Sequence, residues 1–226
     1  MPLILAIETA TKLCSVAVAR DGMVLALREE ESERHTHAER INVFIEQVMQ
    51  EGGVALRDLD AIAVGIGPGS YTGLRIGLSA AKGLCYALDK PLMGLGTLGT
   101  LVEAAATHVN VGGERWPMID ARRMEVFTQA HDVQGQPIAQ VTPLVLDEAW
   151  ATDADGRTVF GDGADKAVAL WAGRSGITFL PGIRPHAAAM FAEAERRFAA
   201  GRFDDLAYLV PEYGKAANVT QPKKRA

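Results

Sequence analysis

The feature that most constrains this chain is the run Gly67-Pro-Gly-Ser-Tyr-Thr-Gly-Leu-Arg-Ile-Gly77. It follows residues 59–66 (LDAIAVGI), which read as a buried strand, and leads into a helix reaching about Leu88. A glycine-rich turn between strand and helix is where backbone N–H groups and the helix dipole favour an anion. Two phosphate patterns fail there. No Gly-Lys-Ser/Thr triplet opens the helix, and G-x-G-x-x-G counted from Gly65 meets Ser70 at its sixth position. The other reading is a tight turn feeding a closely packed helix, capped by Ser70 or Thr72. Gly73, Gly77, Ala80, Ala81 and Gly83 are small, with Leu74, Leu78 and Cys85 interleaved. Small residues three and four apart share a face and let another backbone approach. Glycine costs about 1 kcal/mol in a helix interior, so Gly77 and Gly83 call for compensation, by packing inside the lobe or against a partner chain.

Around this turn the chain reads as α/β. Residues 3–7, 14–19 and 23–30 are apolar strands, the last two joined by Asp21-Gly22. Ile41, Phe44, Ile45, Val48 and Met49 recur at the spacing of one helix face, predicting a helix from Thr36 to Gln50 that Gly52-Gly53 ends. A strand at 91–95 and a helix from Thr97 complete the order β-β-β-α-β-α-β-α, a mixed sheet with helices on its faces. In the second half, strands are expected at 116–120 and 124–130, with weaker ones at 144–146 and 158–160. Helices are expected at 147–152, 164–173 and 186–200, and a turn at Gly161-Asp162-Gly163. Both halves carry a hairpin-like strand set followed by helices, which suits a duplicated core. The expected division is an N-terminal lobe at 1–99 and a C-terminal lobe at 100–226, its basic end at 221–226 (Lys223, Lys224, Arg225) a solvated tail.

Charge and composition exclude several classes. Lys and Arg number 23 against 28 Asp and Glu, a net charge of −5, which argues against a general nucleic-acid magnet. No stretch free of these four residues exceeds the 14 residues of Ala61–Leu74, short of the roughly 20 that a membrane span needs. The start meets Glu8 and Lys12 at once and does not read as a signal peptide. Cys14 and Cys85 lie in apolar surroundings and are expected as buried, reduced thiols of a cytosolic protein.

Glu8-Thr9-Ala10-Thr11 places a carboxylate and hydroxyls at a strand end, which suits a metal–nucleotide site or a polar turn. A phosphate-gripping hairpin would carry glycine here for its amides to approach the ligand, and none lies between Glu8 and Asp21. His35 and His37 lack the companions of a metal site, and no metal is expected. Gly69-Ser70-Tyr71 lacks the spacing of a serine nucleophile elbow, and no catalytic residue is expected.

These motifs together resemble the bacterial TsaB (YeaZ) family, of the actin-like/sugar kinase/heat-shock 70 (ASKHA) superfamily of folds. The residues that carry the resemblance are ILAIETATKLCSVAV at 4–18, HTHAERI at 35–41, GPGSYTGLRIGLSAAKGL at 67–84, IDARRMEVF at 119–127, GDG at 161–163 and Pro211-x-Tyr213. The resemblance implies a two-lobed α/β fold of mixed sheets flanked by helices. It implies a non-catalytic, activating partner of TsaD, the subunit that transfers threonylcarbamoyl to N6 of adenosine 37 in tRNAs reading ANN codons. A TsaE-like P-loop ATPase joins the assembly, a homodimer forms in isolation, and tRNA is met through the complex in the cytoplasm. ATP and a metal act through the other subunits, with no cofactor on this chain alone. The metal-binding H-x-x-x-H of TsaD is absent, His35-Thr-His37 having the wrong spacing.

The family pairs through its N-lobe helices. Carried over, the partner contacts are His37, Ile41, Phe44 and Ile45 on the first helix and Leu74, Leu78, Ala81, Lys82 and Cys85 on the second, so that Phe44→Asp or Leu78→Asp would break pairing in a folded lobe. Gly67, Gly69, Ser70, Thr72 and Gly73 form the glycine-rich turn. Glu8, Thr9, Arg122 and Arg123 are candidate nucleotide or tRNA contacts. Asp120 ends a strand as an actin-type second phosphate loop would, but Arg122 stands where that loop has glycine; its side chain blocks backbone approach and offers a guanidinium to an anion instead. Where relatives commonly have Pro-x-Tyr-Leu-Arg, this chain has Pro211-Glu-Tyr-Gly-Lys215. The competing readings are an autonomous ASKHA-type nucleotide-dependent phosphotransferase, opposed by the missing loop glycines, and a glycoprotease-like metallopeptidase, opposed by the absent ligand pair.

Overall fold

The computed structural model describes residues 2–32, 37–108 and 112–215. His35 and the basic tail at 221–226 lie outside the described residues. The first lobe holds β1 (Leu3–Glu8), β2 (Leu13–Arg20), β3 (Met23–Glu31), α1 (His37–Glu51), β4 (Ala61–Gly67), α2 (Tyr71–Leu88) and β5 (Leu92–Gly96); α3 (Thr97–Ala105) follows and packs with Ile119, Phe127 and Phe160 further along the chain. Its sheet runs β3-β2-β1-β4-β5, antiparallel across the first three strands and parallel from β1 through β4 to β5. Asp21 and Gly22 both take positive φ, as the two-residue turn between β2 and β3 requires.

Every residue of β1 and β4 is buried. Their side chains alternate between two apolar layers, as the period of two dictates. One layer puts Leu3, Leu5, Ile7, Val16, Val18, Ile62 and Val64 against α1 and α2. The other puts Ile4, Ala6, Ala17, Ala63 and Met93 against residues near the C-terminus.

The second lobe holds β6 (Glu114–Asp120), β7 (Glu125–Thr128), β8 (Thr142–Val145), α4 (Glu148–Asp153), β9 (Arg157–Phe160), α5 (Asp162–Asp165), α6 (Val168–Trp171) and β10 (Thr178–Leu180); α7 (Phe191–Ala199) follows. The sheet order is β10-β9-β6-β7-β8, with β6–β7 and β7–β8 antiparallel and β6–β9 and β9–β10 parallel. Reversed, this is the order and orientation of the first sheet, the duplicated core the sequence suggested. The helix expected over 164–173 is two short pieces: Ala167 and Leu170 donate to carbonyls three residues back and tighten the chain between α5 and α6. A 3-10 turn at Ala187–Met190 opens the helix expected from 186.

The division at residue 99 is not a single cut. Ala187, Met190, Phe191 and Ala194 pack on the second face of the first sheet. The Asp204 amide donates to Leu92 O at 2.9 Å, and its carboxylate accepts from Gly94 N at 2.7 Å and Arg197 at 2.8 Å. The segment then reaches the turn after β4, where Glu212 N donates to Ile66 O at 2.7 Å. Among the described residues no helix is long and apolar enough to cross a membrane. Asp204 is the clamp that holds the returning segment on the β5 edge. Asp204→Ala leaves Arg197 and the Gly94 amide short of an acceptor, and should lower stability by about 2–3 kcal/mol, read as a shift of the urea unfolding midpoint.

Candidate functional site

The glycine-rich turn sits on the β1–β2 hairpin. Ser70 N donates to Ala10 O at 2.7 Å, and Thr9 Oγ1 donates to Gly73 O at 2.8 Å. Ser70 is the cap of α2, its Oγ accepting from Gly73 N at 3.2 Å. A β-carbon at Gly69 would come under 3.0 Å from Ala10 O, one at Gly73 from Thr9 O, and one at Gly77 from Thr9 Oγ1. Gly67, at φ +118°, faces Glu212 O as closely. These glycines are required because the chain's own backbone and side chains fill the space next to them. Gly83 differs: it is exposed with nothing within 4 Å of an added β-carbon. Packing inside the lobe thus accounts for Gly77 and leaves Gly83 on the outer face.

Glu8 and Thr9, candidate nucleotide contacts from sequence, are both fully buried. Glu8 Oε1 accepts from Ala10 N at 2.8 Å, while Oε2 has no hydrogen-bond partner among the described residues and lies against Gly65. Burial pushes the Glu8 carboxyl up to about 7, the amides of Ala10 and Thr9 opposing it. Neither side chain reaches solvent with the hairpin in this position. His37 is buried as well, its Nε2 2.8 Å from Thr11 O, and so holds the same hairpin from the α1 side.

The partner contacts carried over from sequence need correction. His37, Ile41, Phe44, Ile45, Leu74, Leu78, Ala81 and Cys85 are all buried within this lobe, most of them in the core under α1 and α2. The apolar stripe that reveals each helix is the face turned to the sheet, so Phe44→Asp or Leu78→Asp would strike the core. Lys82 is partly exposed and donates to Ala207 O at 3.2 Å.

The outer face of the two helices is built from other residues. A groove of about 620 Å³ between them is lined by Ala38, Asn42, Tyr71, Thr72, Arg75, Ile76 and Ser79, with the edge of Ile41 at its floor. Arg75 donates to Tyr71 Oη at 2.9 Å and lies 5.0 Å from its ring centroid; the Tyr213 ring stacks on the same tyrosine at 4.7 Å. Tyr86, 84% exposed, stands on α2 beyond Gly83. Sequence reading missed these residues because they interrupt the apolar stripe; exposed aromatics on a helix otherwise lined with small residues were the available signal.

In the second lobe the corresponding hairpin is the β6–β7 turn. Ala121 N donates to Glu125 O at 3.0 Å, Arg122 N to Asp120 Oδ1 at 2.7 Å, and Asp120 N to Asp162 Oδ1 at 3.0 Å. Burial first, with the Asp120 charge adding, pushes the Asp162 carboxyl up to about 6. Lys166 pairs with Asp120 and Lys215 with Glu125. Arg122 and Arg123 are exposed and both left-handed, at φ 72° and 53°. They line a cavity of about 210 Å³ with Ala121, Glu125 and Lys215. Lys215 arrives on the C-terminal segment, whose Gly214 (φ +68°) lies so close to Phe127 that a β-carbon would be 2.7 Å from the ring. A leucine at 214 would bring its β-carbon into that ring. Cys14 and Cys85 are buried free thiols, pushed up to about 12 and about 11, in both cases mainly by burial.

Comparison with known proteins bears on this geometry. The model of the family described as TsaD: tRNA N6-adenosine threonylcarbamoyltransferase matches residues 29–152. The chain is 34% identical over 210 residues to the tRNA threonylcarbamoyladenosine biosynthesis protein TsaB of Escherichia coli (strain K12), covering 85% of this chain and 88% of that one. It superposes on the crystal structure of an uncharacterized protein with similarity to peptidase YEAZ from Pseudomonas aeruginosa with a TM-score of 0.81 and 29% identity, covering 95% of this chain and 100% of the other. The ethanolamine utilization protein EutJ from Carboxydothermus hydrogenoformans shares the fold at a TM-score of 0.51 and 12% identity, over 84% of this chain and 90% of that one. The actin-like two-lobed fold expected from sequence is the fold observed.

The buried carboxyl makes stability depend on pH. Folding raises the Glu8 pKa from 4.5 to about 7, so the folded state keeps a proton the unfolded chain releases. Its contribution is fully present below pH 4.5 and is lost as pH rises toward 7, at a slope of about 1.4 kcal/mol per unit. Glu8→Gln keeps an acceptor for the Ala10 amide without the charge. It should flatten that slope and raise the thermal midpoint at pH 8, as read by calorimetry across this range; matching profiles for the two proteins would refute the buried-proton account.

Proposed function

The chain belongs to the TsaB family of tRNA threonylcarbamoyladenosine biosynthesis proteins, and from that premise we propose that it is the non-catalytic subunit that holds and activates a TsaD-like partner. The reaction served is transfer of threonylcarbamoyl to N6 of adenosine 37 in tRNAs reading ANN codons, in the cytoplasm. The catalytic subunit and a TsaE-like P-loop ATPase supply the metal and the ATP, and tRNA reaches this chain through the complex. In the absence of the partner, a second copy of the chain takes its place.

The observation that carries the non-catalytic reading is the seating of the glycine turn on Thr9 and Ala10. A nucleotide-hydrolysing hairpin of this fold presents free backbone amides to a phosphate. Here Ala10 N is donated to Glu8, Ser70 N to Ala10 O, and the space beside Gly69, Gly73 and Gly77 is occupied by the hairpin. The partner surface we assign is the outer face of α1 and α2, where Tyr71, Arg75, Ser79 and Tyr86 surround the interhelical groove or stand beside it. Aromatic and arginine anchors ringed by small residues are the composition of strong contact patches.

Two substitutions on that face test the reading. Ser79→Arg and Tyr86→Asp alter exposed side chains, so the thermal midpoint should stay unchanged. Co-purification with the TsaD-like subunit should fall at least about tenfold, and threonylcarbamoylation of tRNA by the reconstituted subunits should fall with it. Unaltered complex formation by both variants would move the interface elsewhere. Hydrolysis of ATP or modification of tRNA by the purified chain alone would overturn the non-catalytic assignment.

A further inference from the structure

We propose that Arg184 is an electrostatic latch between the two lobes: its guanidinium ties an acidic edge of the first sheet to acidic residues of the second lobe, and without it those two edges repel and the lobes part. The residue stands where the chain crosses from one lobe to the other. Ile183 lies in the core with Ile119, Phe127 and Phe160, and four residues on Ala187 lies in the layer with Ile4, Ala6 and Met93. Between them Arg184 pairs in both directions. Its Nε is 3.2 Å from Glu31 Oε1 on β3, and its Nη1 pairs with Asp165 on α5. Nη1 also donates to Ile183 O at 3.1 Å, and Asp165 Oδ1 accepts from Gly182 N at 3.1 Å, so both ends of the second pair are held by backbone. The Arg184 and Asp165 side chains are each 24% exposed, less open to screening than an ordinary surface pair. On the first-lobe side the crossing is pinned by Ala187 N, which donates to Ser15 Oγ at 2.8 Å.

The seam carries the same sign of charge on both sides. Glu29 and Glu31, two residues apart on β3, share one face of the strand, and Glu29 accepts from Ser15 Oγ at 2.7 Å. Across the seam stand Asp162 and Asp165 of α5. Burial pushes the Asp162 carboxyl up to about 6, with the Arg184 charge among the influences opposing it, so it is largely ionised near neutral pH. His186 Nδ1 lies 3.9 Å from Glu29, but burial lowers the His186 pKa against the pull of that carboxylate, which makes it a poor substitute for a permanent cation. Glu31 and Asp165 both reach one guanidinium, so they lie within about 10 Å of each other, the screening length at 0.1 M salt. Their repulsion is felt as soon as the arginine is lost. The latch is independent of the partner reading, because every group in it belongs to this chain.

The test reads the distance between the lobes in the full-length protein. Nitroxide labels go on Glu39→Cys and Ala169→Cys, both exposed positions on helices of different lobes, the native thiols being buried. Double electron–electron resonance should give one narrow distribution for the parent and a longer, broader one for Arg184→Gln. Arg184→Lys keeps the charge without the two-pronged fork and should fall between them. Adding Glu31→Gln and Asp165→Asn to Arg184→Gln removes the repulsion and should bring the distance back toward the parent, a rescue that a purely packing role would not produce. The opening in Arg184→Gln should also shrink at about 1 M salt, where the screening length is about 3 Å. Should Arg184→Gln fail to fold, Arg184→Lys carries the comparison. A parent-like distribution in every folded Arg184 variant, or a triple variant as open as Arg184→Gln, overturns the latch.

Discussion

The contact on which the rest of this molecule depends is backbone against backbone: the start of α2 lying on the β1–β2 hairpin. Ser70 N to Ala10 O and Thr9 Oγ1 to Gly73 O fix the helix to the sheet at one end. The approach is close enough that three successive positions on that face, Gly69, Gly73 and Gly77, tolerate no β-carbon. Two consequences follow from the same geometry. The β1–β2 hairpin is covered by the glycine turn, with the Glu8 carboxyl, pushed up to about 7 by burial, behind it and His37 bracing Thr11 from the other side. The pose of α2 is also set, so the direction in which Tyr71, Arg75, Ser79 and Tyr86 face solvent follows from packing inside the lobe.

The duplicated topology makes this more pointed, because the second lobe offers an internal comparison. β1–β2 and β6–β7 occupy equivalent places in two sheets of the same strand order. In the first, glycines from elsewhere in the chain close over the hairpin. In the second, the turn stays open to solvent and carries two arginines at backbone angles that glycine would occupy at less cost. The first turn is a packing surface, and the second exposes side-chain cations. The absence of glycine at residues 9–13 and at 122 therefore goes with two different physical outcomes. A pattern-based reading of missing glycines treats them as one.

Much of this was legible in the sequence, and the failures have identifiable causes. Nearly every strand and helix of the first lobe follows from hydrophobic periodicity, because those elements are long and bury one face or both. The three residues of β10 and the split between α5 and α6 were not legible, being shorter than the period that would reveal them. The return of the segment after α7 to the first lobe was invisible for another reason: residues 204–212 are held by single polar contacts such as Asp204 with Gly94 N and Arg197, which no local pattern marks. The partner residues were misplaced because an apolar stripe on a helix announces burial and does not say against what. On α1 and α2 the answer is the helix's own sheet. The face these helices turn to solvent is written in the residues between the stripes.

The C-terminal segment ties these surfaces together physically. Within a few residues it donates Glu212 N to Ile66 O at the glycine turn, stacks Tyr213 on Tyr71 at the mouth of the interhelical groove, presses Gly214 on Phe127 of the second lobe and pairs Lys215 with Glu125 beside the two arginines. Glycine at 214 is what lets the chain pass this close to Phe127, and a leucine there would lift the segment off the second lobe. With it would go Lys215, the third cation of the cavity at Arg122 and Arg123. Glycine thus lets the strap lie on the aromatic ring, and the Lys215 ammonium beyond it meets Glu125 as its partner.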